Sequence, residues 1–325
     1  MSEKQTVAPS LTKTSKPSVQ HLLGIEGLAL SFVQDVLARA EHLLTAVVQP
    51  ERIVTAMPGK IIAPLFFEAS TRTRHSFEIA ALRLGAILLP VRTETSSIVK
   101  GESVLDTVKT LEALGVRYFI IRHANNGLPA WIADQVNATS HVINAGDGAN
   151  EHPTQALLDL LTIQQVKPRF QSLIVAIVGD IVHSRVAHSL TQALFLMGVP
   201  EVRWIGPASL LPEEIPPPGV RCFERLEQGL GGADVIVTLR LQQERAHFSF
   251  DTNWYSTHFG LTETRLKLAK PGAIVLHPGP VNRDVEIDAK VLESSQSLIQ
   301  KQVRNGVAVR MAVLQLLGEA KGDAV

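Results

Sequence analysis

The densest group of side chains able to do chemistry is the run FFEASTRTRHSFE at Phe66–Glu78. An apolar strand ends there, Ser70 stands at an N-cap position, and Phe77, Ala80, Ala81 and Leu84 mark the buried face of a helix. The first turn of a helix presents unpaired N–H groups and a partial positive charge. Here that turn also carries Arg72 and Arg74, with hydroxyls at Ser70, Thr71 and Thr73. Cations at a helix N-terminus are unfavourable unless an anion sits beside them, and a phosphate would accept from amides, hydroxyls and a guanidinium together. The same letters also describe an N-capped surface helix with two solvated arginines.

A second group is NAGDGANEHPTQALLD at Asn144–Asp159. A strand runs into a Gly-rich turn, and His152 and Gln155 fall three apart on one face at the start of the next helix. His152 could donate to a carbonyl oxygen and Gln155 could bond an amide, although a histidine at a helix start also serves as a cap or surface residue. Ser96 and Lys100 lie in the polar loop TSSIVKGE (95–102), and Arg122 closes the run YFIIR. Arg185 follows in VGDIVHSR, Arg240 and Gln242 in TLRLQQER, and Gly279 and Pro280 in the rigid loop HPGPVNR (277–283). Each of these, taken singly, also reads as structural. Together they place polar or cationic groups after at least six strands, at the end where open α/β sheets build their sites.

The elements that must carry them alternate. The three-four spacing of Val33, Val36, Leu37, Ala40, Leu44 and Val47 predicts a helix over 27–48. Strands are predicted at 60–67, 86–91, 117–122 and 141–144, with helices at 73–85, 103–114, 128–136 and 153–163 between and after them. A polar stretch with one proline, QQVKPRFQ (164–171), interrupts the alternation and predicts a hinge. SLIVAIVG (172–179) then reads as a strand buried on both faces, followed by a helix over 186–197 and strands at 201–205, 220–223, 235–239 and 273–276. A last helix is predicted over 307–318. Alternation of this kind means parallel sheets covered on both sides. The predicted fold is therefore α/β, with two doubly wound parallel-sheet domains split near residue 168 and the active site in the cleft between them.

Several function classes are excluded. The chain has no G-x-x-x-x-G-K-[ST] loop, and no G-x-G-x-x-G follows the first strand of either half, so nucleotide and dinucleotide binding are not expected. With one cysteine, Cys222, it can form no intrachain disulfide and no thiolate zinc site, and neither a metal nor a cofactor is expected. Lys and Arg number 31, as do Asp and Glu, which gives no basic excess for a nucleic acid. No run of about 18 apolar residues or secretory h-region is present, so neither a membrane span nor a secretory leader is expected, and the cytoplasm is the expected location.

STRTR (70–74), the S-x-x-x-K-G-E loop (96–102), HPTQ (152–155) and HPGPVNR (277–283), in that order over roughly residues 60 to 310, resemble the aspartate carbamoyltransferases. STRTR and His-Pro-x-Gln alone mark carbamoyltransferases in general. RLQ at Arg240–Gln242 and HPGPVNR carry the aspartate assignment, because ornithine enzymes typically have His-Cys-Leu-Pro where this chain has His277 and Pro278. The resemblance implies transfer of a carbamoyl group from carbamoyl phosphate to L-aspartate in pyrimidine biosynthesis. It implies a carbamoyl-phosphate domain over 1–168, with a C-terminal helix (about 301–325) packing back on it, and an aspartate domain over 169–300. It also implies a homotrimer with sites between subunits.

By matching motif, Ser70, Thr71, Arg72 and Thr73 would hold the phosphate with help from Arg122. Thr73, Arg122 and His152 would surround the carbonyl oxygen, and Gln155 would take the carbamoyl NH2. Ser96 and Lys100 would reach in from the neighbouring chain. Lys100, Arg185, Arg240 and Gln242 would bind aspartate, and the backbone of Gly279 and Pro280 would close the carbamoyl side. The chain departs from relatives at Val99, where some carry a second lysine, at Gly279, where others have leucine, and at Asp284, where glycine is usual in the HPGPxNR subgroup. Its polar extension over 1–20 resembles that of members which assemble with a dihydroorotase-like partner; regulatory chains are another possible partner. A carbamoyltransferase for another acceptor, such as ornithine, and a non-catalytic scaffold are the competing readings.

Overall fold

The computed structural model describes residues 19–49, 53–91, 101–241 and 251–319. The predicted positions Ser96, Val99, Lys100 and Gln242, and nearly all of the N-terminal extension, lie outside them.

The first described helix is α1 (Leu30–Val48). Its buried stripe is Val33, Val36, Leu37, Ala40, Leu43 and Ala46, so the stripe leans one residue earlier at its C-terminal end than the sequence pattern suggested. β1 (Ile61–Phe66), α2 (Thr71–Arg83), β2 (Ile87–Leu88), α3 (Val104–Ala113), β3 (Tyr118–His123), α4 (Leu128–Ala133), β4 (His141–Asp147) and α5 (Pro153–Gln164) follow. The strands form an all-parallel sheet in the order β2-β1-β3-β4.

The chain then resumes with β5 (Ile174–Val178), α6 (Arg185–Leu196), β6 (Glu201–Ile205), β7 (Val220–Phe223), α7 (Leu226–Leu230) and β8 (Val235–Thr238). α8 (Thr252–Phe259), α9 (Glu263–Leu266), β9 (Ile274–Leu276), α10 (Ala289–Leu292) and α11 (Ile299–Glu319) complete it. The second sheet is also parallel, in the order β7-β6-β5-β8-β9. β5 lies at its centre with Val175, Ala176 and Ile177 fully buried, as an unbroken apolar run requires when helices cover both faces. In each sheet the order reverses beside the first strand, and the crevice at such a switch point opens at the carboxyl ends of the strands.

α11 starts at Ile299, earlier than the 307 that the apolar pattern predicted and close to the 301 that the family resemblance implied. Gln302, Asn305 and Arg310 are buried on it, so polar letters break the apolar stripe on the face that packs. Those side chains are paired: Asn305 donates to Thr162 Oγ1 at 2.8 Å, and Gln302 donates to Asp159 at 2.7 Å. The helix lies against α1, α2 and α5 of the first sheet's layer. No described helix is long and apolar enough to cross a membrane.

Candidate active site

The carboxyl ends of both sheets face one crevice, and Arg72, Arg122, Arg185 and Arg240 collect there. α2 begins at Thr71 with Ser70 as its N-cap, in extended conformation and with no side-chain capping bond. The Ser70 hydroxyl therefore does not serve the helix. Thr73 is buried beneath the turn. The two arginines of STRTR part company: Arg74 is tied to Glu78 one turn on, Nε to Oε1 at 3.0 Å, and is thereby neutralised on the helix flank. Arg72 instead lies against Gly279 of the loop after β9, so closely that a Cβ on that glycine would stand 2.6 Å from its Cζ. Gly279 has φ +68°, and the Gly279–Pro280 bond is cis. Partial burial and then the charge of Arg240 hold the Arg72 guanidinium below its ordinary pKa. Two cations from different sheets thus face each other across the crevice.

Deeper in, Arg122 is the next-to-last residue of β3 and Arg185 begins α6, and both are buried. Glu68 joins them, accepting from Arg122 Nη2 at 2.8 Å and from Arg185 Nη1 at 3.2 Å, with Arg185 Nη2 within 2.6 Å. Arg122 also donates to the Ala145 carbonyl at 3.1 Å and Arg185 to the Gly148 carbonyl at 3.0 Å. Gly146, at φ +117°, lies between them: a Cβ there would be 2.8 Å from Arg122 Nη1 and 3.1 Å from Arg185 Nε. The glycine of the NAGDG turn is thus required by the packing of two guanidinium groups on its backbone.

His152 precedes Pro153 at the start of α5, and its ring is buried, with no hydrogen-bond partner at Nδ1 among the described residues. Burial first, then the charges of Arg122, Arg310 and Arg185, hold its pKa well below the usual histidine value. The ring is a neutral imidazole at physiological pH, able to donate without carrying charge. Its backbone N–H donates to Ser189 Oγ at 2.8 Å, and Ser189 in turn donates to the buried Glu151. One turn on, Gln155 Nε2 donates to Asp159 Oδ1 at 2.9 Å. His277, buried at the head of the HPGPVNR loop, accepts the Gly279 N–H at Nδ1 (2.7 Å) and is held neutral chiefly by burial. Its Nε2 is 3.7 Å from Glu286, beyond hydrogen-bond reach.

The departure at Asp284 has a backbone reason. Asp284 has φ +63°, the left-handed region that glycine enters freely and that Asp tolerates better than most residues. Its carboxylate receives the Ala289 N–H at 3.2 Å.

The structure therefore brings Ser70, Thr71, Arg72, Thr73, Arg122, His152, Gln155, Arg185, Arg240 and Gly279 to one crevice. Sequence reasoning missed Glu68, Ser189, Asp159 and Gln302. Glu68 stands two residues before the cationic turn, and Asp159 interrupts an apolar run, LLDLL, which were the available signals. Among the described residues no cluster of three or more His, Cys, Asp or Glu is arranged to hold a metal ion.

Two family models match the chain. The carbamoyl-P binding domain of aspartate/ornithine carbamoyltransferases covers residues 20–165, and the Asp/Orn binding domain of the same family covers 171–317. An aspartate carbamoyltransferase catalytic subunit from Coxiella burnetii (strain Dugway 5J108-111) is 51% identical over 296 residues, spanning 91% of this chain and 95% of that protein. The crystal structure of aspartate transcarbamoylase from Trypanosoma cruzi with carbamoyl aspartate and phosphate superposes with a TM-score of 0.83 at 29% identity, covering 93% of this chain and 97% of that one. The same Trypanosoma cruzi enzyme with N-(phosphonacetyl)-L-aspartic acid gives 0.82 at 29% identity, covering 93% and 96%. The chain belongs to the aspartate/ornithine carbamoyltransferase family.

Proposed function

We infer that this chain is the catalytic polypeptide of an aspartate carbamoyltransferase, making N-carbamoyl-L-aspartate and phosphate for pyrimidine synthesis. The observation that carries the reading is the convergence of cations from both sheets, Arg72 and Arg122 facing Arg185 and Arg240, around a buried neutral histidine. Such a crevice suits a substrate with a phosphate dianion at one end and an amino acid with two carboxylates at the other. The Coxiella burnetii relative carries this activity in its name, and the Trypanosoma cruzi enzyme has been crystallised with carbamoyl phosphate and aspartate together.

The residue roles follow from the chemistry. Carbamoyl phosphate is already activated, so the uncharged amine of aspartate attacks the carbonyl carbon and the carbonyl oxygen gains negative charge. The C–O bond to phosphate then breaks, and the phosphate leaves with the proton that the amine gives up. Alignment supplies much of the acceleration. Thr73, Arg122 and His152 stabilise the developing oxyanion, and Ser70, Thr71, Arg72 and Thr73, with Arg122, receive the departing phosphate. Gln155 accepts from the carbamoyl NH2, and the backbone of Gly279 and Pro280 closes that side. Arg185, Arg240, Gln242 and Lys100 bind aspartate. Arg185, held by Glu68, must exchange part of that pairing for a substrate carboxylate. The carbamoyl-phosphate domain is residues 1–168 together with α11, and the aspartate domain is 169–300. The assembly is a cytoplasmic homotrimer in which Ser96 and Lys100 serve a neighbour's site.

Two experiments test this reading. Ureido product is measured with L-aspartate and L-ornithine side by side, and turnover with aspartate at least about 100-fold above ornithine is expected, because a site built to pair a second carboxylate rejects a substrate lacking it. Equal rates, or ornithine preference, would remove the aspartate assignment. Mixing Lys100→Ala with Arg72→Ala subunits should restore activity in a fraction of sites, and a mixture as inactive as either parent argues against shared sites.

A further inference from the structure

Asp159 lies on α5 one turn beyond Gln155, fully buried, in a helix whose neighbouring residues are nearly all buried and apolar. An apolar side chain would fill this place without desolvating a charge, so a carboxylate here must serve something other than packing. Its Oδ1 accepts from two amides at once, Gln155 Nε2 at 2.9 Å and Gln302 Nε2 at 2.7 Å. Gln302, on α11, turns its other end to the loop after β9, where its Oε1 accepts the His277 N–H at 3.0 Å. His277 then receives the Gly279 N–H. One carboxylate oxygen therefore ties together the two segments that flank the carbamoyl end of the crevice.

We propose that Asp159 is the positioning residue for carbamoyl recognition, fixing the Gln155 amide with its carbonyl oxygen toward the substrate NH2 and, through Gln302, holding the loop that starts at His277. The argument rests on the role given to Gln155 above. A glutamine amide has a donor end and an acceptor end of nearly the same shape, and its neighbours decide which faces where. Oδ1 already accepts the Gln302 amide, whose own Oε1 is taken by the His277 N–H, so this oxygen carries no proton and can engage only Nε2 of Gln155, which leaves Oε1 to take a bond from the carbamoyl NH2. An asparagine at 159 offers one oxygen and one amide group in place of two oxygens, so it holds the Gln155 amide in that orientation less strongly. The retention of this acid is costly by itself: burial pushes its pKa up to about 7, against the pull of the two amides and of Arg310.

Asp159→Asn in the full chain separates orientation from packing, because it changes neither volume nor shape. Titration calorimetry with carbamoyl phosphate and with inorganic phosphate reads the two ends of the site apart. Carbamoyl phosphate should bind about 10-fold more weakly, the loss of one correctly presented hydrogen bond, whereas phosphate affinity should stay within about two-fold. Gln155→Ala combined with Asp159→Asn should bind carbamoyl phosphate no worse than Gln155→Ala alone, because Asp159 acts through that amide. If Asp159→Asn leaves Arg310 stranded and the protein fails to fold, Asp159→Asn with Arg310→Met removes both buried charges and the same comparison is made. Equal weakening of both ligands, no weakening of either, or losses that multiply in the double variant would each overturn the proposal. A wild-type protein that forms no carbamoyl aspartate would instead overturn the function itself, so the two failures are distinct.

Discussion

Arg72→Ala is expected to lower kcat/KM for carbamoyl phosphate by about 10³-fold while leaving the far-UV circular dichroism and melting temperature close to wild type. The size follows from what the residue is for: removal of a single preorganised donor to developing charge commonly costs about 10²- to 10³-fold, and a charge-assisted bond to a dianion belongs at the upper end. The preservation of the fold follows from how the side chain is held. Arg72 lies at the open start of α2 and packs on the bare backbone of Gly279. Its charge is opposed there by Arg240, so the ligand-free protein gains nothing electrostatically from keeping the pair together. Deleting Arg72 relieves that repulsion and removes the partner for which it is maintained. Arg74→Ala is the internal control. Its guanidinium is spent on Glu78 in a half-buried i,i+4 pair on the helix flank, so it should cost about 1 kcal/mol of stability or less, and little activity. Steady-state rates with both substrates varied decide the matter. A loss below about 10-fold for Arg72→Ala would mean that the first turn of α2 does not grip the leaving group.

The contrast between these two arginines shows how far the sequence could be read. STRTR announces a cationic helix start in which Arg72 and Arg74 look alike, and only Glu78, four residues after Arg74, marks the one that is paired on the helix. Strand positions were legible because β5 is an unbroken apolar run and β1 and β3 are largely apolar, as strands of a sheet covered on both faces are. α11 was half-legible. The apolar pattern marks its second half, whereas Gln302 and Asn305 carry no such signal, and only tertiary partners on α5 make them interior. The same blindness hid Glu68. An acid before a basic turn reads as a local salt bridge, yet it reaches Arg122 and Arg185, 54 and 117 residues along the chain. Periodicity encodes which face of an element is buried. It does not encode which polar groups meet when elements from two sheets close on one another, and the site is made of those meetings.

His152→Ala is the second large effect, and its signature differs from that of Arg72. The loss should fall on kcat, by about 10²-fold or more, with a much smaller change in carbamoyl phosphate affinity, because a donor to the carbonyl oxygen counts most when that oxygen becomes negative. The ring must be neutral to act so among three arginines. A protonated imidazole beside Arg122, Arg185 and Arg310 would be buried with its charge unpaired, and burial and those charges hold its pKa well below the ordinary value. The sign of the pH effect follows. In the unfolded chain His152 takes up a proton as pH falls through about 6.5, whereas in the folded chain it does not, so its contribution to stability is present above that pH and is lost as pH falls toward the depressed folded value. Nitrogen-15 shifts of the ring should accordingly stay those of a neutral imidazole through pH 6.5, and the His152→Ala variant should show a shallower loss of stability between about pH 6.5 and 5 than wild type. A ring that titrates near 6.5 would place it in water. An unchanged kcat in the variant would take His152 out of the chemistry and leave the oxyanion to Thr73 and Arg122 alone, a heavier demand on a guanidinium already engaged by Glu68.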